Sequence, residues 1–141
     1  MRISPNFTET EADCNCGCGF MDVDEEFLMF IEDMRVIAQV PFNPTSWCRC
    51  PIHNKNSGGI DDSAHTRGTA ADFEASSGRE RYRFLACFFL AQLYQDCVIT
   101  LAEARLYLKA MMENSCGIGI ADDFVHVDKD HVKPRPAAWS Y

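Results

Sequence analysis

The chain is short of positive charge: 13 Lys and Arg stand against 21 Asp and Glu, for a formal net charge of -8. Phosphate backbones are bound by clustered cations, so this balance argues against a nucleic-acid partner, and anionic membrane surfaces are disfavoured on the same ground. Long apolar runs are also missing. The longest, residues 84–91, has the length of a buried helix segment and falls well short of the ~20 residues that a spanning helix needs. The first 13 residues are polar and acidic, without the basic and apolar regions of a secretory signal. Synthesis in the cytoplasm without a signal peptide is therefore expected, with reduced thiols as the default. Repeats, linkers and low-complexity tracts are lacking as well. With 141 residues, 47% hydrophobic and 24% charged, a single domain over residues 1–141 is expected, with an N-terminal arm at 1–20 and a C-terminal tail at 131–141.

What is present reads as helices and short strands in segregated runs, which predicts an α+β domain with a small antiparallel sheet and flanking helices. Asp22 or Asp24 caps a first helix running to about residue 39, with Phe27, Ile31, Met34 and Ala38 on one face and Phe30 and Ile37 widening it. Residues 45–50 and 69–75 read as strands, and the polar, glycine-rich stretch 51–62 as a loop. Ser77 caps a helix over 79–95, and Thr100 with Glu103 makes a capping box for another ending near 114. Residues 116–120 and 124–128 read as strands joined at Ala121-Asp122-Asp123, with Val125 and Val127 directed into the core. The tail, with Pro134, Pro136 and Trp139, reads as irregular.

Two stretches carry chemistry: Ser63-Ala64-His65-Thr66-Arg67-Gly68-Thr69-Ala70-Ala71-Asp72 and Asp123-Phe124-Val125-His126-Val127-Asp128. Together they offer His65, Asp72 and His126 as three protein ligands for zinc, with a fourth position open and an acid beside it. Gly68 supplies the freedom to turn the chain between His65 and Asp72. Asp123 is the candidate general base, Asp122 is its rival, and Asp128 is a candidate for orienting a ligand. Histidines beside acids are more often surface pairs or capped loop residues, and spacing alone leaves that reading open.

The full pattern, Ser-x-His-x-x-Gly-x-Ala-x-Asp followed by acid-x-x-His-x-Asp, resembles the zinc D-alanyl-D-alanine peptidases. That group includes D-Ala-D-Ala carboxypeptidases, vancomycin-resistance dipeptidases and the L-alanyl-D-glutamate endopeptidases of phage endolysins. Asn6-Phe7-Thr8 with Glu11 and the Cys-x-Cys-Gly-Cys-Gly run of residues 14–19 resemble the N-terminal arm of small phage and bacterial members. Thr45-Ser46-Trp47-Cys48-Arg49-Cys50-Pro51, then His53-Asn54 and Gly58-Gly59, resembles the segment around Ser-Gly-Tyr-Arg-Cys-Pro. The resemblance covers residues 3–130 and is weakest between 79 and 114. It implies a Hedgehog/DD-peptidase-like fold, one catalytic Zn2+ held by His65, Asp72 and His126, and Asp123 as catalytic acid/base. Arg49 would bind substrate carboxylate or oxyanion, and Ser63 would orient substrate or ligand. The implied partner is a peptidoglycan stem peptide, met by a monomeric phage endolysin that reaches the wall after release from the cell. A non-catalytic, zinc-containing Hedgehog-like binding domain is the alternative. Two features depart from the family pattern: Trp47-Cys48 stands for Gly-Tyr, and many endopeptidase members carry Glu where this chain has Asp123.

Eight cysteines are many for this length. Cys87 and Cys97 lie in apolar helical sequence and read as core residues. Cys14, Cys16 and Cys18, with Cys48 and Cys50, are open to three readings: free thiols, disulfides formed after export, or a second, structural zinc. The C-x-C spacing differs from the C-x₂₋₄-C usual in structural zinc sites. A nucleophilic pair of Cys48 or Cys50 with His53 lacks a third, orienting group.

Overall fold

A computed structural model describes residues 1–141. The elements are α1 (Glu9–Ala12), α2 (Glu25–Ala38), β1 (Pro44–Ser46), α3 (Pro51–Asn56), a 3-10 turn (Ala64–Arg67), β2 (Asp72–Phe73), α4 (Gly78–Gln95), α5 (Leu101–Met112), β3 (Cys116–Ile120), β4 (Val125–Lys129) and β5 (Ala137–Ser140). The fold is α+β, as the patterning implies. The chain gathers into two compact units, one of residues 1–35 with 40–74 and the other of 36–39 with 75–141. No helix is long and apolar enough to cross a membrane.

The first unit is built around Trp47. Its ring is fully buried and meets Phe7 and Phe27 edge-on, at centroid distances of 5.6 and 5.9 Å. Burying rings of this size against one another stabilises by ~1.5–3 kcal/mol each. Ile31 and Met34 add the inner face of α2, whose start is capped by Asp24 Oδ1 accepting from Phe27 N at 2.8 Å. β1 and β2 pair antiparallel as a two-stranded ladder.

Two short helices in this unit go beyond the sequence expectation. Thr8 and Glu11 form a reciprocal capping box that opens α1 within the stretch read as an arm. Pro51 sits in the first turn of α3, where its missing N–H costs nothing, so the segment read as loop begins with a helix.

The second unit packs α4 against α5 and against β5 of a three-stranded sheet ordered β4-β3-β5. Ser77 with Glu80 and Thr100 with Glu103 form the capping boxes of the two helices. Small buried residues, Ala86, Ala91 and Ala104, allow close approach, and Leu90, Leu108 and Met112 fill the seam. Arg105 donates to Val36 O at 3.0 Å and so satisfies a carbonyl in the last turn of α2.

Three expectations are corrected here. The tail, read as irregular, contains β5, which adds a parallel strand beside the antiparallel β3–β4 pair. Cys97 lies beyond α4 with φ 56 and is exposed, whereas Cys87 is fully buried as expected. Val125 and Val127 are 61% and 74% exposed, because β4 is an edge strand and its outer face carries no layer.

Candidate active site

In the first unit the 3-10 turn sets His65. Ser63 is its N-cap: the Oγ accepts from His65 N at 3.3 Å, and the Ser63 carbonyl accepts from Thr66 Oγ1 at 2.7 Å. Gly68 ends the turn in the left-handed region with φ 68, and a Cβ there would collide with the Asp22 carbonyl oxygen. Only glycine fits, as the sequence implied. The Gly68 carbonyl in turn accepts from Trp47 Nε1 at 3.3 Å.

His65 Nδ1 lies 2.7 Å from the Trp47 carbonyl oxygen. A carbonyl only accepts, so Nδ1 carries the proton and Nε2 presents a lone pair. That lone pair faces Asp72 Oδ2 at 3.5 Å. Asp72 is held by β2, and its backbone carbonyl accepts from Thr45 Oγ1 at 3.2 Å. Arg49 donates from Nη2 to the same Oδ2 at 2.7 Å and from Nε to Ser46 Oγ at 2.8 Å, while its backbone N–H bonds the His65 carbonyl at 3.0 Å. His65, Asp72, Arg49 and Ser63 are thus brought together within one unit. The exposed side chain is Asp72, at 53%, against 13% for His65 and 17% for Arg49.

The Nε2 lone pair and Asp72 Oδ2, which Arg49 also holds, are placed so that a metal ion could join them. Nitrogen and oxygen ligands at ~2.0–2.1 Å on a tetrahedral zinc stand about 3.3 Å apart. The His65–Asp72 separation and the tautomer therefore fit zinc, and the Trp47 carbonyl supplies the outer hydrogen bond that metal-bound imidazoles need.

In the second unit His126 lies on β4 opposite Gly119 of β3, and Asp128 lies opposite Gly117. These glycines leave one face of the central strand bare. A Cβ at Gly119 would fall 2.5 Å from Trp139 Nε1, and one at Gly117 would fall 2.5 Å from Arg135 Nε. The side chains that use this space are His126, Asp128, Arg135 and Trp139. His126 Nε2 is 3.2 Å from Asp128 Oδ2, and the His126 ring lies 5.4 Å from the Trp139 ring, centroid to centroid. Arg135 grips Asp128 with Nε at 2.9 Å and Nη2 at 2.5 Å and stands over the Trp139 ring at 5.2 Å. Arg135 first, then His126, holds the Asp128 carboxyl well below the usual carboxylate range. Asp123 is exposed on the turn between β3 and β4, where Ala121 N bonds Phe124 O.

A family model described as Peptidase M15 matches residues 5–89. That span exceeds half of the chain and includes Arg49, Ser63, His65 and Asp72. The chain belongs to the Peptidase M15 family. Membership makes it a metallopeptidase, and the family suggests zinc, which the His65–Asp72 donors fit. No curated protein and no solved structure matches the chain. The M15 match ends within α4, so His126, Asp123 and Asp128 rest on their own motif and geometry.

Two features of this M15 chain were hard to read from sequence. Trp47 and Cys48, which replace the family's Gly-Tyr, are 0% and 1% exposed, so they serve the core, and the Trp47 carbonyl sets the His65 tautomer. Arg135 and Trp139 lie in the stretch read as irregular tail. The one signal toward them is Gly117-Ile118-Gly119, a strand with alternate side chains missing.

Proposed function

We propose that the protein is a zinc-dependent peptidase that cleaves the peptide stems of bacterial peptidoglycan, as a phage endolysin acting on the wall after release from the cytoplasm. The observation that carries this reading is the pair of facing lone pairs on His65 and Asp72, inside the M15-matched stretch. His65, Asp72 and His126 would hold the ion. Bound zinc supplies Lewis acidity toward the scissile carbonyl and brings water into its nucleophilic form near neutral pH.

The chain's own residues do the remaining work. Asp123 takes the proton of the attacking water at its carboxylate and returns it to the departing amine. Being one methylene shorter than Glu, it must approach the reacting water closely. Arg49 presents a guanidinium already oriented by Ser46 and Asp72, suited to a stem-peptide carboxylate or to negative charge developing on the carbonyl oxygen. Ser63 keeps His65 in place through its backbone N–H and can offer its hydroxyl proton to substrate. Asp128, fixed by Arg135, orients the His126 ring. The scissile bond is L-Ala-D-Glu or D-Ala-D-Ala, and the chain works as a monomer.

The test is Asp123→Ala on purified peptidoglycan, read by release of new amino termini and by mass spectrometry of the muropeptides. The variant is expected to keep its zinc while losing ~10²–10⁴-fold in rate. Zinc-loaded wild type that frees no amino termini from any wall chemotype would sink the enzyme reading and leave the non-catalytic, Hedgehog-like one.

A further inference from the structure

Four of the eight cysteines converge. The sulfurs of Cys14, Cys16, Cys18 and Cys50 all lie within 4.8 Å of one another, with Cys14–Cys16 at 3.4 Å and Cys16–Cys50 at 3.8 Å. Cys48 takes no part: it is buried in the core, where burial pushes its thiol up.

An extended chain would set residues two apart ~6.6 Å from each other along one face, too far to share an ion. Here the backbone folds on itself instead. Gly17 and Gly19 both take φ 74, Gly17 N bonds Cys14 O at 3.0 Å, and Cys14 N closes the loop on Phe20 O at 2.9 Å. The spacing that counts against a structural zinc in an ordinary knuckle is thereby compressed into one corner.

We propose that Cys14, Cys16, Cys18 and Cys50 form a tetrathiolate site for a structural zinc ion, with ligands distinct from the His65, Asp72 and His126 set. Zinc–sulfur bonds of ~2.3 Å place tetrahedral ligands about 3.8 Å apart. Cys16–Cys50 stands at 3.8 Å, Cys14–Cys16 at 3.4 Å, and all four sulfurs lie within 4.8 Å of one another, so small side-chain adjustments suffice. Backbone N–H groups already point at two of them, Cys50 N at Cys14 and His53 N at Cys50, each at 3.3 Å, as ionised sulfur requires.

Binding of a divalent cation by these four sulfurs would displace the thiol protons to solvent. The bound ion would tie the N-terminal loop to the start of α3 and so fix the backbone beside Arg49.

The protein should be purified with zinc, and its zinc exchanged for cobalt. Intense thiolate-to-cobalt charge-transfer absorption is expected, a band that the histidine and carboxylate donors cannot produce. Alkylation supplies an internal control, because Cys16, Cys18 and Cys97 are all exposed. In the zinc-loaded protein Cys16 and Cys18 should react at least about tenfold more slowly than Cys97, and a strong chelator should erase the difference. Cys16→Ser, an exposed substitution, should lower the zinc content by one equivalent per chain. Equal alkylation of Cys16, Cys18 and Cys97 in zinc-loaded protein, or an intact mass showing cysteines oxidised in pairs, would overturn the proposal. A missing charge-transfer band in cobalt-loaded, folded protein would do the same.

Discussion

His65 and His126 are held by opposite means. His65 is 13% exposed, and its tautomer is set by a backbone carbonyl belonging to a fully buried tryptophan. His126 is 43% exposed on an edge strand, and its partner Asp128 is set by a side chain, Arg135. Backbone-set geometry changes only if the loop moves, whereas side-chain-set geometry can be altered by one substitution. The M15 model matches the first arrangement and stops before the second. The difference predicts that disturbing the first unit should cost fold and function together, and disturbing the second should cost function with the fold kept.

The sharpest way to break that contrast is Gly68→Ala. The left-handed φ of 68 and the Asp22 carbonyl oxygen in the path of a Cβ leave the alanine no room. The turn must open, taking with it the His65 and Trp47 hydrogen bonds. A destabilisation of about 3 kcal/mol or more is expected, with loss of peptidase activity. Urea unfolding followed by tryptophan fluorescence measures it. A fully stable, active Gly68→Ala protein would mean that the first arrangement is as adjustable as the second.

Arg135→Met comes next and acts on the other side of the comparison. It leaves Asp128 free to turn away from His126, and about a 10–100-fold fall in activity is expected, with the fold retained. Acid titration gives an independent readout. The folded carboxyl of Asp128 is depressed by Arg135, so its contribution to stability is fully present above the ordinary carboxylate value of about 4. That contribution fades as pH falls from there toward the folded value. Wild type should therefore lose more stability than Arg135→Met on acidification below about pH 4, and the two should run parallel above it. Identical acid curves would detach Arg135 from Asp128.

The same contrast explains what was legible in the sequence. Capping boxes at Ser77–Glu80 and Thr100–Glu103, and the apolar face of α2, are local signals, and their elements lie where the pattern puts them. Gly68 was legible because its requirement is steric and local. The helix opening at Pro51 was hidden by polar, glycine-rich sequence, although a proline at the first helical position is a known start signal. β5 was hidden because it is only four residues long and joins β3 through a non-local, parallel pairing. The Trp47 carbonyl was illegible for a deeper reason: every residue has a carbonyl, and only the fold decides which one faces His65. The cysteine corner belongs to the same class, since positive φ at Gly17 and Gly19, rather than ligand spacing, gathers the sulfurs.

The smallest expected effect concerns β4. Alternating apolar residues there read as a core-facing row, yet Val125 and Val127 pair with Ile120 and Ile118 on a face that is largely open. Alternation reports which side chains share a face and says nothing of whether a layer covers it. Val125→Thr with Val127→Thr keeps β-branching while removing methyl groups from exposed positions. The pair should change stability by no more than ~0.5 kcal/mol and leave activity intact. Ile31→Ala, in the buried row of α2 at 2% exposure, should cost about 2–5 kcal/mol. Chemical denaturation of the two variants side by side makes the comparison. A loss above about 1 kcal/mol for the threonine pair would show that this face is covered in solution, and His126 would then sit on a strand buried from behind, much as His65 sits on its tryptophan.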